Sequence, residues 1–106
     1  MKLWNSKLIS ILIKKGAIEW HRHVFERMLE RGISRCDVTD VLITGEVIED
    51  YPSDYPYPSV LMHGKLGEKP LHVVAAFDSG QEVIYIITAY FPDAVHFMSD
   101  YKTRRK

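Results

Sequence analysis

His23, Arg27 and Arg31 stand four residues apart in the stretch "HVFERMLERG", and that interval lines side chains up along a helix. At about 3.6 residues per turn, these three and Glu30 occupy about one third of the circumference. Val24, Phe25, Met28 and Leu29 fall on the opposite side and are expected to face a core. Forked guanidinium donors suit a phosphate chain, and an imidazole can move a proton near neutral pH. The same ridge can equally be a solvated face. Arg27 and Arg31 would then pair with Glu26, Glu30 and nearby carboxylates, each pair contributing only about 0–1 kcal/mol.

A second imidazole sits in "PLHVVAAFD". Strand alternation puts Leu71, Val73, Ala75 and Phe77 on one face and His72, Val74, Ala76 and Asp78 on the other. In so apolar a strand His72 is either a core histidine satisfied by a backbone carbonyl, or a group reaching toward the helix ridge. In the second case two imidazoles would flank a phosphate as general base and general acid. His63 and Lys65 repeat the idea on one face of "SVLMHGKL". Thr88 and Tyr90 alternate to one face further on, where a tyrosine can stack on a base, donate to a phosphate or cap the core. The loop "YPSDYPYPS" carries three tyrosines and three prolines. It is stiff and displays aromatic rings, either as a platform for a partner or base or as a cover over the core edge. His21 and His23 are two residues apart and would point about 200° away from each other on a helix, and no H-x-x-x-H occurs, so neither a metal site nor a cofactor is expected.

These residues need elements to hold them, and the periodicity changes near residue 46. Leu3, Leu8, Ile9, Leu12 and Ile13 recur at helical spacing, giving a first helix to about Lys15 with Gly16 as its stop. A second covers about His21 to Arg31 and ends at Gly32, a left-handed cap position. A third starts at Ser34, with Asp37 completing a box-like cap, and ends at Gly45. Four strands follow: "EVIEDY", "SVLMHGKL", "PLHVVAAF" and "EVIYIITAYF", the last two joined by "DSGQ". Apolar residues on both faces place those two centrally. The expected fold is α+β, N-terminal helices packed on a four-stranded antiparallel sheet. The segment after Pro92 reads as irregular.

The 106 residues suit one domain, 1–106, and 46% hydrophobic against 26% charged residues supplies a core and argues against disorder. "LISILI" is too short to span a membrane and no cleavage site follows it. Cys36 is the single cysteine, which excludes an internal disulfide and a cysteine zinc site; a soluble, cytoplasmic protein is expected. The net charge is zero but uneven. Lys and Arg number eight against three Asp and Glu up to Cys36, two against eleven from Asp37 to Asp100, and four against none in "YKTRRK". If that tail folds back near the first helices, Lys102, Arg104 and Arg105 join an electropositive patch able to hold a polyanion; otherwise it is a solvated tail.

The blocks "HVFERMLERGISRxDV", "GEVIEDYPSDYPYPS", "PLHVV" and "IITAYFP" resemble, in order, a small bacterial and archaeal family of unknown function over about residues 18–106. That family is similar in element order to RelE-like and BrnT-like toxins. The resemblance implies a RelE/barnase-like fold and a ribonuclease toxin partnered by an antitoxin protein, of zinc-finger character in neighbours of the family, acting on RNA that can be ribosome-bound. Carried over by position, His23, Arg27, Arg31, His72, Thr88 and Tyr90 are the matching polar residues. The chain departs from RelE toxins in having only Lys65 and Lys69 in its central sheet. The expected reaction is metal-independent cleavage: one of His23 and His72 takes the ribose 2′-hydroxyl proton, the other protonates the 5′-oxygen, and Arg27 and Arg31 stabilise charge on phosphorus. Against this stands a non-catalytic module that docks a protein through the tyrosine loop and the acidic middle.

Overall fold

The computed structural model describes residues 4–104; Leu3 and Arg105 lie outside them. Helix α1 spans Ser6–Lys14 behind Asn5, whose side chain accepts from the N–H groups of Lys7 and Leu8 at 2.9 and 3.3 Å. It buries Ile9 and Leu12. Helix α2, Arg22–Arg31, ends on Gly32 at φ 72°, where the missing Cβ removes the cost of a left-handed turn. Helix α3, Arg35–Thr44, opens on a reciprocal cap: Ser34 Oγ accepts from the Asp37 N–H at 3.1 Å, and the Asp37 carboxylate accepts from the Ser34 N–H at 2.8 Å. Ser34→Ala is expected to cost about 1 kcal/mol, measurable as a lower urea midpoint at unchanged slope.

The sheet has five strands rather than four and is mixed rather than antiparallel. Strand β1, Ile18–Trp20, runs parallel to β5, Val83–Tyr90, and the order is β1-β5-β4-β3-β2, with β2 Glu46–Tyr51, β3 Ser59–Leu66 and β4 Lys69–Asp78. Three residues between a glycine and a helix are too few to show an alternation. What makes them a strand is the partner edge, with the Ile84 N–H donating to the Ala17 carbonyl at 3.0 Å. All other neighbours pair antiparallel, and β4 is central.

Alternation sorts the sheet into two faces. Val60, Met62, Leu71, Val73, Ala75, Phe77, Ile84, Ile86 and Ala89 pack with Ile9, Leu12, Met28, Val38 and Leu42 of the helices into the main core. On the other face, Glu46, His63, His72 and Tyr90 form one row across four strands, as their pairings require. Leu61, Ala76 and Phe97 are buried without joining the main core. Phe97 belongs to a segment, residues 93–104, that turns back as a strap over this second face. Among the described residues no helix is long and apolar enough to cross a membrane.

Candidate functional site

Helix α2 exposes His23 and Arg27 as its spacing predicts, but its apolar side is incomplete. Met28 is its one fully buried residue, while Leu29 is 74% exposed on what should be the apolar side. His23 and Arg27 are exposed, and Arg27 bonds Glu30 at 3.2 Å, the solvated ion-pair arrangement. Arg31 departs from the ridge altogether. Its Nη1 donates to the Ala89 carbonyl near the end of β5 at 2.8 Å, which turns the guanidinium toward the strap.

The two imidazoles expected to act together are separated by the sheet. α2 packs on β5 from the core side, whereas His72 projects from the opposite face and is 0% exposed. His72 Nε2 lies 2.7 Å from the Tyr101 carbonyl and 3.2 Å from His63 Nδ1, and its Nδ1 lies 3.3 Å from the Tyr90 hydroxyl. Phe97 closes over the ring edge-on, with centroids 4.7 Å apart. His72 therefore belongs to an inner layer and does not meet solvent.

Local chemistry shapes the strap. Asp93 accepts from the N–H groups of Val95 and His96 at 3.0 and 2.8 Å, and Asp100 accepts from those of Lys102 and Thr103 at 2.9 and 3.0 Å. Those donors, with the Thr103 hydroxyl, hold the Asp100 carboxyl down to about 2. Charge fastens the strap to the sheet. Lys102 pairs with Glu46 at 2.5 Å, and Arg104 Nε donates to Glu49 at 2.6 Å while its guanidinium lies over Phe97. The tail thus folds back as one sequence alternative has it, but onto acidic β2 instead of the helices. Among the described residues of the tail, Lys102 and Arg104 each pair with a carboxylate of β2.

Between the strap and the end of β5 lies a pocket of about 490 Å³ lined by Arg31, Tyr90, Phe91, Asp93, His96, Phe97 and Arg104. Two guanidinium groups, a phenol and an imidazole share it. His96 Nδ1 bonds the Asp93 carboxylate at 2.9 and 3.1 Å, which leaves Nε2 as the nitrogen available to a ligand. The amide and imidazole donors of His96 hold the Asp93 carboxyl below its usual range. Burial raises the Tyr90 phenol, so it keeps its proton at neutral pH. A guanidinium carries five N–H donors, so Arg31, bonded to the Ala89 carbonyl, and Arg104, bonded to Glu49 and Tyr51, each keep donors for a ligand.

A family model for a domain of unknown function, DUF4258, matches residues 20–91. The chain belongs to the DUF4258 family. Neither the curated proteins nor the solved structures contain a match. The DUF4258 segment runs from Trp20 at the end of β1 to Phe91 just past β5, and so includes Arg31, His63, His72 and Tyr90. Asp93, His96 and Arg104 lie beyond it. The pocket is thus walled on one side by the DUF4258 segment and on the other by the strap that follows.

Of the residues singled out in the sequence, the pocket gathers Arg31, Tyr90 and Arg104. His23 and Arg27 stay outside on the helix. Thr88 shares a sheet face with Tyr90, one row away, and Lys102 lines a separate hollow with His63 and Lys65. Asp93 and His96 lie in the segment after Pro92, which carries no periodicity to mark them. The signal was the three-residue interval in "DAVH", which lets an aspartate cap a turn and hold the following imidazole.

Burial depresses the affinity of both His63 and His72 for a proton below the ordinary histidine value. The unfolded chain therefore binds protons first as pH falls, so stability is full above about pH 6.5 and is lost below it. Thermal melts are expected to drop between pH 7 and 5, a window above the titration of the strap carboxylates. A His63→Gln/His72→Gln variant should show a flatter dependence over that window.

Proposed function

We propose that the protein is a metal-independent endoribonuclease and the toxin of a toxin–antitoxin pair. What carries the reading is the pocket that gathers Arg31, Arg104, Tyr90 and His96 at the rim of the sheet. Two forked cations can take the non-bridging oxygens of a phosphodiester and stabilise charge that develops on them. His96, whose ring is held through Nδ1 by Asp93, can protonate the departing 5′-oxygen through Nε2. Attack by the neighbouring 2′-hydroxyl then yields a 2′,3′-cyclic phosphate and a free 5′-hydroxyl. This keeps the reaction class that the toxin resemblance implies, retains Arg31 of α2, and takes the acid and the second cation from the strap. The antitoxin would be a protein that covers this rim.

Incubation with RNA in the presence of a chelator tests the proposal. Cleavage products ending in 2′,3′-cyclic phosphate are expected, and RNA left intact both with and without ribosomes would remove it.

One surface favours the docking alternative. Tyr55 is 95% exposed in the proline loop, beside a mainly apolar hollow formed by Val24, Pro56, Tyr57, Tyr85 and Ile87. Growth arrest on expression that persists in an Arg31→Ala/His96→Ala variant would favour docking; arrest that vanishes would favour catalysis.

A further inference from the structure

The buried histidine has a bonding pattern more specific than packing requires. Among its partners the Tyr101 carbonyl can only accept, so at 2.7 Å His72 Nε2 must carry the hydrogen. In the neutral ring Nδ1 is then an acceptor, and the group it faces is the Tyr90 hydroxyl at 3.3 Å. The Tyr90 proton is accordingly directed inward, and the oxygen turns its free lone pairs to the pocket. His63 Nδ1, 3.2 Å from the same Nε2, can share that hydrogen as a second acceptor.

Resting on the ribonuclease reading, we propose that His72 is a positioning residue and proton acceptor behind Tyr90, so that Tyr90 serves as the base toward the 2′-hydroxyl. The 2′-oxygen passes its proton to Tyr90 Oη as it bonds to phosphorus, and Tyr90 passes its own proton to His72 Nδ1. The bond from phosphorus to the 5′-oxygen breaks, and that oxygen takes the proton from His96 Nε2. His72 leaves the step as an imidazolium with Nε2–H still on the Tyr101 carbonyl. Return of the proton through Tyr90, and uptake of one from water by His96, restore the starting state. Burial opposes this charge most, with His63 of β3, when protonated, and Arg104 of the strap adding to it, while the Tyr101 carbonyl and Glu49 of β2 favour it. This gives the pair of proton carriers that the sequence suggests, but through a phenol and from the strap side.

Two-bond proton–nitrogen NMR of the imidazoles, with Tyr90→Phe as comparison, reads the arrangement without RNA. The expected result is a His72 hydrogen on Nε2 and an Nδ1 signal that moves toward the free acceptor value in Tyr90→Phe while Nε2 stays. A hydrogen on Nδ1, or an Nδ1 signal indifferent to Tyr90, overturns the proposal whatever the protein does to RNA. With RNA, Tyr90→Phe should lower kcat by about 10²- to 10⁴-fold at similar KM. The acid limb of the wild-type profile should follow the titration of His72 seen by NMR and disappear from the residual rate of the variant. Cleavage with an acid limb unrelated to His72 overturns the relay alone. Intact RNA beside the expected NMR signature overturns the relay and the nuclease reading together.

Discussion

Replacing His96 by alanine is expected to lower RNA cleavage by about 10²- to 10⁴-fold and to leave the thermal midpoint almost unchanged. The two effects separate because of where the ring sits. Its side chain is 68% exposed and bonds only Asp93 among the described residues, so its removal opens no cavity in either core. Exposed positions of this kind usually shift stability by no more than about 0.5 kcal/mol. In the reaction, by contrast, the departing 5′-oxygen would have no other proton donor beside it. Asp93→Asn should cost less, since the imidazole remains but loses the carboxylate that orients it through Nδ1. His23→Ala and Arg27→Ala serve as controls. Both residues lie on the exposed outer face of α2, and neither change is expected to alter the rate. Single-turnover cleavage of one defined RNA by the four variants measures the rates, and a thermal melt of His96→Ala measures the midpoint.

Gly45→Ala is expected to cost about 3 kcal/mol, the upper end of the range for inserting a carbon into packed structure. A Cβ at this position would meet the His63 and Val41 carbonyl oxygens at 2.6 Å each and Val41 Cγ1 at 3.2 Å. Two of those three are backbone atoms that cannot swing aside. The strain does not come from the glycine's own dihedrals, since φ of −78° is open to any residue. It comes from the close passage of the α3 terminus over β3, where the Gly45 N–H also donates to the Val41 carbonyl at 2.8 Å. Total stability of a small domain is typically about 5–15 kcal/mol, so the loss is a large share of it. Because Glu46 follows directly, the strap is expected to loosen too. Urea denaturation gives the first effect, and faster amide exchange in residues 97–104 gives the second.

The elements that sequence reasoning placed well are those whose determinants are local. Ser34 and Asp37 form the reciprocal cap, Gly32 takes the left-handed turn, and "EVIEDY" and "SVLMHGKL" are β2 and β3 residue for residue. The failures have tertiary causes. β1 exists only because β5 offers it an edge. Leu29 fits a helical stripe by position, yet it is exposed in the fold. Arg31 looks like a ridge residue until Ala89 supplies an acceptor from 58 positions away along the chain. The strap is the clearest case: Phe97, Lys102 and Arg104 have no shared period, and each finds a separate partner on β2 or β4. The uneven charge along the chain was visible, but its meaning was not, because Glu46 and Glu49 answer Lys102 and Arg104 across a fold that composition does not encode. His72 was legible as a buried histidine with a carbonyl partner, one of the two readings its strand allowed.

The location of the site is tested most directly by backbone and imidazole NMR shifts on adding a short oligonucleotide whose 2′-hydroxyls are replaced by hydrogen, so that it binds without being cut. Shifts concentrated at Arg31, Tyr90, Phe91, His96 and Arg104, with His23 and Arg27 unmoved, are expected. Shifts running along the outer face of α2, or none at concentrations where RNA is cleaved, would place the chemistry elsewhere.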